Sequence, residues 1–317
     1  MAVLKEVPPV AKLGHVAAET PDLEESVWFF RDVIGLKEVE RVDDTVYLRA
    51  QRDWEHHTLS LTAGEEATVD HVGWRTEEPE HVDAFAERLA EAGVETETVE
   101  PNEEAGQGRA IRFRVPSGHI FELYYDVEKP QTTEERRSRL KNRVYSLADA
   151  SASIPRRIDH VNLHGPDVPA THDWLQDVLG FQMNEYVLDD EGEVRGGWLS
   201  TNSLVHTLAY GSEKHGDEAT FHHIAFYLDS MGDMMNAADV VREHGVEVEG
   251  GIGKHGITQA NFLYVRDPGS GHRVELFNGG YQIWDPDWEP IEWDAEEAQV
   301  GLTWFGSTPT QETTPCR

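Results

Sequence analysis

The chain has 317 residues, enough for two domains that each bury a core, and carries 27 Lys and Arg against 60 Asp and Glu, a net charge of −33. This charge repels phosphate and disfavours nucleic acids and anionic membranes as partners. No apolar run could span a bilayer, the N-terminus lacks the apolar core of a signal peptide, and the single cysteine, Cys316, excludes an intrachain disulfide. We expect a cytoplasmic protein, and its acidic surface predicts a halophilic host, in which salt screens the charge.

The first predicted unit recurs in the second half of the chain. Residues 14–36 read GHVAAETPDLEESVWFFRDVIGL, and residues 159–181 read DHVNLHGPDVPATHDWLQDVLGF. In both, a histidine on a strand-like segment is followed by a Pro-Asp turn, an amphipathic helix and a glycine that ends the helix. Further along, DHVGW and PSGHIFELY in the first half match HHIAF and PGSGHRVELF in the second. The chain is therefore predicted to be an internal duplication.

Each half reads as a strand, a helix and further strands, twice over, which predicts an α+β fold. The first helix places Leu23, Val27, Phe30 and Ile34 on one face, the spacing of a helix packed on a sheet. Later helices are predicted at about 80–93 and 230–244. A Thr132-x-x-Glu135 capping box predicts a charged linker helix around 133–148. The predicted units are an N-terminal domain at 1–127, the linker at 128–155, a catalytic domain at 156–288 and a tail at 289–317.

Three residues of the second half have the chemistry of a metal site. His160 and His223 lie on the first strands of two successive units, and Glu275 lies on the final strand between two apolar residues. A buried carboxylate there needs a cation or a donor. Two imidazoles and one carboxylate form the facial triad of non-haem Fe(II) oxygenases, which leaves positions open for substrate and O2. His222 is the competing ligand, but strand alternation favours His223.

Most of the 16 histidines need no functional interpretation. Those in polar stretches or on presumed helices are interpreted as surface or packing residues: His56, His57, His81, His164, His172, His215, His244 and His272.

The segment GKHGITQANFLYVRDPGSGHRVELF resembles the signature of the type I extradiol ring-cleavage dioxygenases. RIDHVNL and FHHIAFYL resemble the segments that supply the two metal histidines of that family, and the tail GGYQIWDPDWEPIEWD is also similar. The resemblance covers nearly the whole chain. It is strongest to the catechol 2,3-dioxygenase and homoprotocatechuate 2,3-dioxygenase branch of the vicinal oxygen chelate superfamily.

This resemblance implies two tandem vicinal-oxygen-chelate domains, each built from paired βαβββ modules that form an open barrel. It implies that His160, His223 and Glu275 bind Fe(II), with Mn(II) as the other candidate ion. His206 matches the acid–base histidine, and His255 and Tyr264 match the pair around the substrate hydroxyls.

Trp198 matches an aromatic residue of the substrate pocket, in which His206, His255 and Tyr264 would also contact the substrate. The implied reaction is extradiol (meta) cleavage of a catechol by O2 to a 2-hydroxymuconic semialdehyde, and the implied assembly is a homotetramer. Two other functions are weighed. A glyoxalase-type isomerase or lyase on the same fold would use more carboxylate ligands, and a small-molecule-binding protein of the bleomycin-resistance kind would be shorter and lack the triad.

The substrate is expected to be a neutral catechol or a small alkyl-catechol. An arylacetate-type catechol would need a cation for its carboxylate. The stretch before His255, EGGIGKHG, offers only Lys254, and the tail segment EAQVGLTWFG has no arginine.

The N-terminal half retains His15, His71 and Glu122, which align with His160, His223 and Glu275. Arg112 stands opposite Tyr264, and the stretch ETVEPNEEAGQG has no histidine in the place of His255. An arginine beside a divalent ion would oppose binding of the metal. We therefore expect these three residues to be relics of duplication, satisfied by hydrogen bonds and without a metal.

Overall fold

The computed structural model describes residues 7–139, 153–212, 218–310 and 312–317. Each half of the chain forms one open sheet. The N-terminal strands are β1 (Val10–Thr20), β2 (Lys37–Val42), β3 (Thr45–Arg49), β4 (Leu59–Ala63), β5 (Thr68–Thr76), β6 (Thr96–Val99), β7 (Ala110–Arg114) and β8 (Ile120–Tyr124). The helices of this half are α1 (Leu23–Trp28), continued by a π-helical turn (Phe29–Val33), and α2 (Glu80–Glu91).

The C-terminal half repeats this order of elements and adds a tail. Its strands are β9 (Ile158–Gly165), β10 (Gln182–Leu188), β11 (Val194–Ser200), β12 (Leu208–Ser212), β13 (Thr220–Tyr227), β14 (Val248–Lys254), β15 (Ala260–Arg266) and β16 (Arg273–Gly279). Its helices are α3 (Val168–Leu179) and α4 (Met231–Glu243). The tail contributes β17 (Ile291–Trp293), α5 (Glu297–Leu302) and β18 (Thr314–Pro315).

The two sheets have the same topology. The strand order is β2-β3-β4-β1-β5-β8-β7-β6 in the first and, read in the same direction, β10-β11-β12-β9-β13-β16-β15-β14 in the second. The pairing register is also identical at the positions that the sequence repeat aligns. The equivalent pairs are Ala17–His71 and Asn162–His223, Gly73–Glu122 and Ala225–Glu275, and Arg112–Glu122 and Tyr264–Glu275. The predicted duplication of paired βαβββ modules is confirmed, and within the described residues the outer strands do not close either sheet into a complete barrel.

Helix boundaries follow the sequence signals. The Asp22 side chain accepts a hydrogen bond from the Glu25 amide at the start of α1, and Asp167 does the same for Ala170 at the start of α3. Gly180 ends α3 with φ +73°, a conformation that favours glycine. The helices predicted near 80–93 and 230–244 are confirmed as α2 and α4.

The predicted linker helix begins differently. Only Glu134–Arg136 form a helical turn, of the 3₁₀ type, and Arg137 is extended. The cap position is Thr133 and its side chain accepts no capping hydrogen bond, so the Thr132-x-x-Glu135 motif does not start an α-helix. Residues 140–148 of the predicted helix lie outside the described residues.

The two halves share one hydrophobic core. The buried cluster runs from Val10 in β1 to Leu276 in β16, and Trp74 packs edge-on against Phe181 with ring centroids 5.0 Å apart. Within the part of the chain that the structure describes, no helix has the length and apolarity needed to cross a membrane.

Candidate metal centre and active site

Three side chains from three strands meet on one face of the second sheet. His160 on β9, His223 on β13 and Glu275 on β16 are each at most 3% exposed. Nε2 of His160 lies 3.1 Å from Nε2 of His223 and 2.9 Å from Oε2 of Glu275. Nε2 of His223 lies 3.0 Å from the same carboxylate oxygen. The three atoms are therefore close enough to bind a single ion.

Both histidines of this group have a partner on their other ring nitrogen. Nδ1 of His160 lies 2.9 Å from Oδ2 of Asp159, and Nδ1 of His223 lies 2.6 Å from Nδ1 of His222. Such partners fix the ring orientation of a metal-binding histidine and leave Nε2 directed at the metal. His222 itself does not join the group, because its ring stacks on His164 at 5.0 Å between centroids. The expectation that position 223 faces the group holds in the geometry.

The charges around the three residues are those of a site that needs a cation. Burial would lower the pKa of His160, but Asp159 and Glu275 raise it to about 9. Burial would likewise raise the pKa of the Glu275 carboxyl, but His223 and His160 hold it well below its ordinary value. A positive charge among the three ligand atoms, whether a proton or a divalent ion, therefore suits these surroundings. The pKa of Asp159 falls to about 2, because Arg157 and His160 outweigh the effect of burial.

The fit of a metal to these residues is supported by two buried polar atoms. Oε1 of Glu275 has no hydrogen-bond partner among the described residues, and Nε2 of His255 lies 3.5 Å from it. Nδ1 of His206 also lacks a partner in the described part of the chain. Buried polar atoms without partners are costly, so these two indicate groups that bind at this place. The donor set of two imidazoles and one carboxylate suits Fe(II) or Mn(II).

His206 lies directly beside the metal-binding group, in the turn before β12. Its ring centroid is 4.0 Å from that of His160, and 3% of the residue is exposed. Burial and the nearby His160 hold its pKa well below its ordinary value, so the imidazole is neutral. A neutral imidazole in this position can accept a proton.

His255 and Tyr264 form a pair on the other side. The Tyr264 hydroxyl lies 3.3 Å from Nε2 of His255, and Nδ1 of His255 is bonded to the Leu302 carbonyl at the end of α5. Nδ1 must donate to a carbonyl, so Nε2 is the acceptor and the Tyr264 hydroxyl donates to it. Burial and Glu275 raise the pKa of Tyr264 well above its ordinary value, which keeps the phenol protonated.

A cavity of about 340 Å³ joins these residues. All seven predicted site residues line it: His160, Trp198, His206, His223, His255, Tyr264 and Glu275. Its volume is at the lower end of the range for small-molecule sites, ~300–1,000 Å³.

Several other residues of the cavity were not singled out in the sequence. His164, assigned to surface or packing, lies in its wall, as do Arg195, Leu302 and Pro309. Asp159 was also missed, although the Asp-His pair of DHVNL has a counterpart in DHVGW. No sequence signal indicates that the tail folds back over the cavity.

The aligned residues of the first half form a different cluster. Nε2 of His15 lies 3.1 Å from Nε2 of His71. The Glu122 carboxylate is farther away, with Oε1 3.8 Å from Nε2 of His15 and Oε2 3.8 Å from Nε2 of His71. Glu122 instead accepts hydrogen bonds from Arg112 at 2.7 Å and from Gln107 at 2.6 Å. The expectation that hydrogen bonds satisfy Glu122 is confirmed.

Glu104 was not foreseen in this cluster. It comes from the stretch that lacks a histidine, and its carboxylate lies 3.0 Å from Nε2 of His71 and 3.3 Å from Nε2 of His15. The stretch without a histidine therefore still supplies an ionisable group to the cluster. Burial would lower the pKa of His71, but Glu104, Glu122 and Asp70 raise it to about 10, so this imidazole is protonated. Arg112 also bonds to Glu104.

The duplicated βαβββ fold, with a buried group of two histidines and one carboxylate in a cavity, defines a metal-dependent enzyme of the vicinal oxygen chelate class. Comparisons with known proteins narrow that class. A family model described as the glyoxalase/bleomycin resistance protein/dioxygenase superfamily matches residues 157–276, and one described as the catechol 2,3-dioxygenase-like N-terminal domain matches residues 69–128.

The relatives match over nearly their full length. The manganese-dependent 2,3-dihydroxybiphenyl 1,2-dioxygenase of Geobacillus genomosp. 3 is 55% identical over 97% of this chain and 99% of its own. A metapyrocatechase of Geobacillus stearothermophilus is 35% identical over 94% of this chain and 90% of its own. The crystal structure of homoprotocatechuate 2,3-dioxygenase from Arthrobacter globiformis is 29% identical, with a TM-score of 0.87 over 99% of this chain and 95% of that one.

The chain belongs to the type I extradiol ring-cleaving dioxygenases, enzymes that open catechols. The predictions of family, fold and enzyme class are confirmed, and the glyoxalase-type and bleomycin-resistance alternatives are not supported by these relatives.

Proposed function

We propose that the chain opens a neutral catechol with O2 at a mononuclear centre held by His160, His223 and Glu275. Both oxygen atoms enter the product, a 2-hydroxymuconic semialdehyde, so one O2 is consumed for each catechol. The observation that carries the proposal is the convergence of these three ligand atoms in the same cavity as His206 and Tyr264.

The roles of the residues follow from their surroundings. A bound divalent metal lowers the pKa of the catechol hydroxyls and activates O2. His206 is neutral and its Nδ1 is unpaired, so it accepts a proton from the substrate and later returns it. The Tyr264 hydroxyl can turn its single hydrogen from Nε2 of His255 to the substrate oxygen that becomes negative. Trp198 forms part of the wall against which the ring packs.

Fe(II) is the metal that the family resemblance favours, and Mn(II) is the second candidate. Both ions accept this ligand set. The case for Mn(II) comes from the manganese dependence in the name of the 55% identical relative. Metal analysis of protein purified from iron- and manganese-supplemented cultures, followed by activity per bound ion, separates the two.

A neutral substrate is proposed because the cavity has little positive charge. Lys254 does not line the cavity. Arg195 does, but its Nη1 atom lies 3.7 Å from Oδ2 of Asp189. This arginine is half exposed, so its charge is screened by solvent as well as by the aspartate. We expect a higher kcat/KM for catechol than for 3,4-dihydroxyphenylacetate, and the reverse order would assign Arg195 to the binding of a carboxylate.

The central test is direct. The protein is loaded anaerobically with Fe(II) or Mn(II), and catechol and air are added. We expect a yellow product and equal consumption of catechol and O2, both abolished by chelation and restored by the metal. Metal-loaded protein that consumes no O2 with any catechol would refute the proposal.

The organisation and setting of the enzyme are proposed from the sequence. We propose domains at 1–127 and 156–288, a linker at 128–155 and a tail at 289–317, in a cytoplasmic homo-oligomer, a homotetramer by family resemblance. Four large apolar side chains between residues 300 and 305 of the tail are exposed and would suit a subunit interface: Val300, Leu302, Trp304 and Phe305.

We also propose that the protein works in concentrated salt, because screening would relieve the repulsion within a net charge of −33. The melting temperature should then rise from dilute buffer to about 1 M KCl. A flat curve would contradict this proposal.

A further inference from the structure

One buried carboxylate of the second half lies outside both the cavity wall and the metal-binding group. Glu185 on β10 is 1% exposed. Burial removes the water that would solvate its charge, so the carboxylate needs hydrogen-bond donors or a cation. It has three donors, each at 2.7 Å: Oε1 accepts from the Thr258 amide and the Tyr281 hydroxyl, and Oε2 accepts from the Trp293 indole N–H. Uncharged donors therefore satisfy this carboxylate.

The three donors come from segments that are far apart in the chain. Thr258 lies in the turn 256–259 between β14 and β15, Tyr281 follows β16, and Trp293 is the last residue of β17. β17 itself pairs in parallel with β10. The Glu185 side chain therefore ties both the turn and the tail to β10.

The turn has a backbone conformation that needs support. Thr258 has φ +62° and Gln259 has φ +60°, in the left-handed region. Two consecutive non-glycine residues rarely adopt this region, because the side chain crowds the backbone, and they keep it only where their surroundings enforce it. The Gln259 side chain is exposed, so its packing contributes little. The hydrogen bond from the Thr258 amide to Glu185 is therefore one of the contacts that enforce the turn.

The turn follows directly on His255 and helps to fix its position. The amides of Gly256 and Ile257 donate to the Gly301 carbonyl at 2.7 and 2.8 Å, and Nδ1 of His255 donates to the Leu302 carbonyl. Both carbonyls lie at the end of α5. The turn is thus bonded to β10 through the buried carboxylate and to α5 through its amides, and the imidazole is bonded to the same end of α5.

We propose that Glu185 is a positioning residue for the ring cleavage: it holds the turn 256–259 and thereby the His255 ring, to which the Tyr264 hydroxyl is bonded. This inference rests on the proposed function, because it assumes that this pair acts on the substrate. Among the described residues, Glu185 belongs neither to the cavity wall nor to the metal-binding group, so its removal should leave metal and catechol bound. Tyr264 acts on a charge that develops during the reaction, so a misplaced His255 should lower kcat and leave the affinity for catechol almost unchanged.

The test uses Glu185→Ala in the metal-loaded enzyme. We expect kcat to fall by about 10–100-fold, with KM for catechol and metal content nearly unchanged. A second readout needs no turnover. Amide hydrogen exchange, measured by mass spectrometry, should become faster by about 5-fold or more in the peptide that covers the turn 256–259, the equivalent of one lost hydrogen bond.

Glu292→Ala is the matched control. Glu292 accepts a hydrogen bond from the Tyr186 hydroxyl at 2.7 Å and joins the same two strands, β10 and β17, at the surface. It has no bond to the turn 256–259, so its removal should change neither kcat nor the exchange of the turn.

A double variant tests whether Glu185 acts through His255. His255→Ala alone should lower kcat, because the Tyr264 hydroxyl loses its acceptor. Adding Glu185→Ala should then lower kcat by no more than about 2-fold further, since the ring that Glu185 positions is already absent. Two residues that acted independently would instead multiply their separate losses.

The outcomes separate this inference from the proposed function. Unchanged exchange of the turn in Glu185→Ala, or fully multiplied losses in the double variant, would overturn the inference. Should the alanine variant not fold, Glu185→Gln has the same shape but only one acceptor oxygen for three donors, and it should show smaller changes in both readouts. Unchanged exchange of the turn in Glu185→Gln would then overturn the inference. Wild-type protein that cleaves no catechol would refute the ring cleavage, and faster exchange in Glu185→Ala would still support the hold of Glu185 on the turn.

Discussion

The two halves carry the same two histidines and one glutamate in the same register, but in different electrostatic surroundings. In the second half Glu275 lies 2.9 and 3.0 Å from its histidines, and Tyr264 is its cross-strand neighbour. In the first half Arg112 takes the place of Tyr264 and bonds to Glu122, which is 3.8 Å from the histidines. The comparison teaches that a neighbouring cation can satisfy a carboxylate that would otherwise need a metal, and on this ground we expect the first half to bind none.

The largest effects should come from the ligands of the second half. We expect His160→Ala, His223→Ala and Glu275→Ala each to lose the bound metal and turnover while remaining folded, as measured by metal analysis, O2 uptake and circular dichroism. The equivalent variant Glu122→Ala should retain about one metal per chain, because we expect the wild type to bind its metal in the second half.

His222→Ala is the control within the same strand. It removes a partner of His223 but no ligand atom, so it should keep the metal, with an affinity lowered by about 10–100-fold. Full metal occupancy in any of the three alanine variants of the second half would refute the ligand assignment. Loss of the metal in His222→Ala alone would show that the strand faces the other way.

The next effect concerns proton transfer by His206. Its counterpart in the first half is His57, two residues before the Leu59 that pairs with Val16, with its ring centroid 4.8 Å from that of His15. His206→Asn should retain the metal and bind catechol, but kcat should fall by about 10²–10⁴-fold. Stopped-flow turnover with a measured metal content tests this.

Phe277 lies beside His206 in the same cavity wall, with ring centroids 5.8 Å apart, and Phe277→Leu should have a smaller effect on kcat. An unchanged kcat in His206→Asn would refute the acid–base role assigned to His206.

The sequence was sufficient for much of this comparison. The 20-residue interval between histidine and glycine and the alternation around Glu275 predict the duplication and the inward-facing side chains, because both depend on local periodicity. Glu104 and Leu302 could not be predicted, since they reach their clusters through a loop and the tail, whose paths follow from tertiary packing. His164 lies on β9 four residues after His160, so strand alternation could have placed it on the same face.

The prediction of a linker helix was wrong at its start. The cap position there makes no side-chain hydrogen bond, and the chain is extended again at Arg137.

Removal of Arg112 should bring the first half closer to the second. Glu122 is fully buried, and Arg112→Met would leave its charge without its arginine, at a cost of about 3–5 kcal/mol in the free energy of unfolding. Excess Zn(II) should bind to His15, His71 and Glu104 in this variant and restore part of that stability. Urea unfolding with and without Zn(II), with metal analysis, gives both quantities.

Arg109→Met is the matched control for Arg112→Met. Arg109 pairs with Asp83 at the surface, where 40% and 72% of the two side chains are exposed, so its loss should cost less than about 1 kcal/mol. If Arg112→Met were as stable as Arg109→Met, or bound no second ion, Arg112 would not be what separates the two halves.

The smallest effect on catalysis should come from His71. His71→Gln should leave kcat/KM and metal content unchanged, because the cluster of the first half lies in the other sheet.

The effect of His71→Gln should appear in stability and depend on pH. The protonated His71 ring faces Glu104, Glu122, Asp70, His15 and Arg112, and its pKa is about 10, against 6.5 for an ordinary histidine. Because the folded-state pKa is the higher one, this stabilisation is complete below about pH 6.5, declines above it and is gone beyond about pH 10. We therefore expect the difference in the free energy of unfolding between wild type and His71→Gln to be at least about 1 kcal/mol near pH 6 and to shrink steadily towards pH 9.5. His81→Gln, at a partly exposed histidine of α2, is the control and should show no such trend. A difference that did not change with pH would mean that His71 is neutral in the folded protein. The expected exclusion of a metal from the first half would then rest on Arg112 alone.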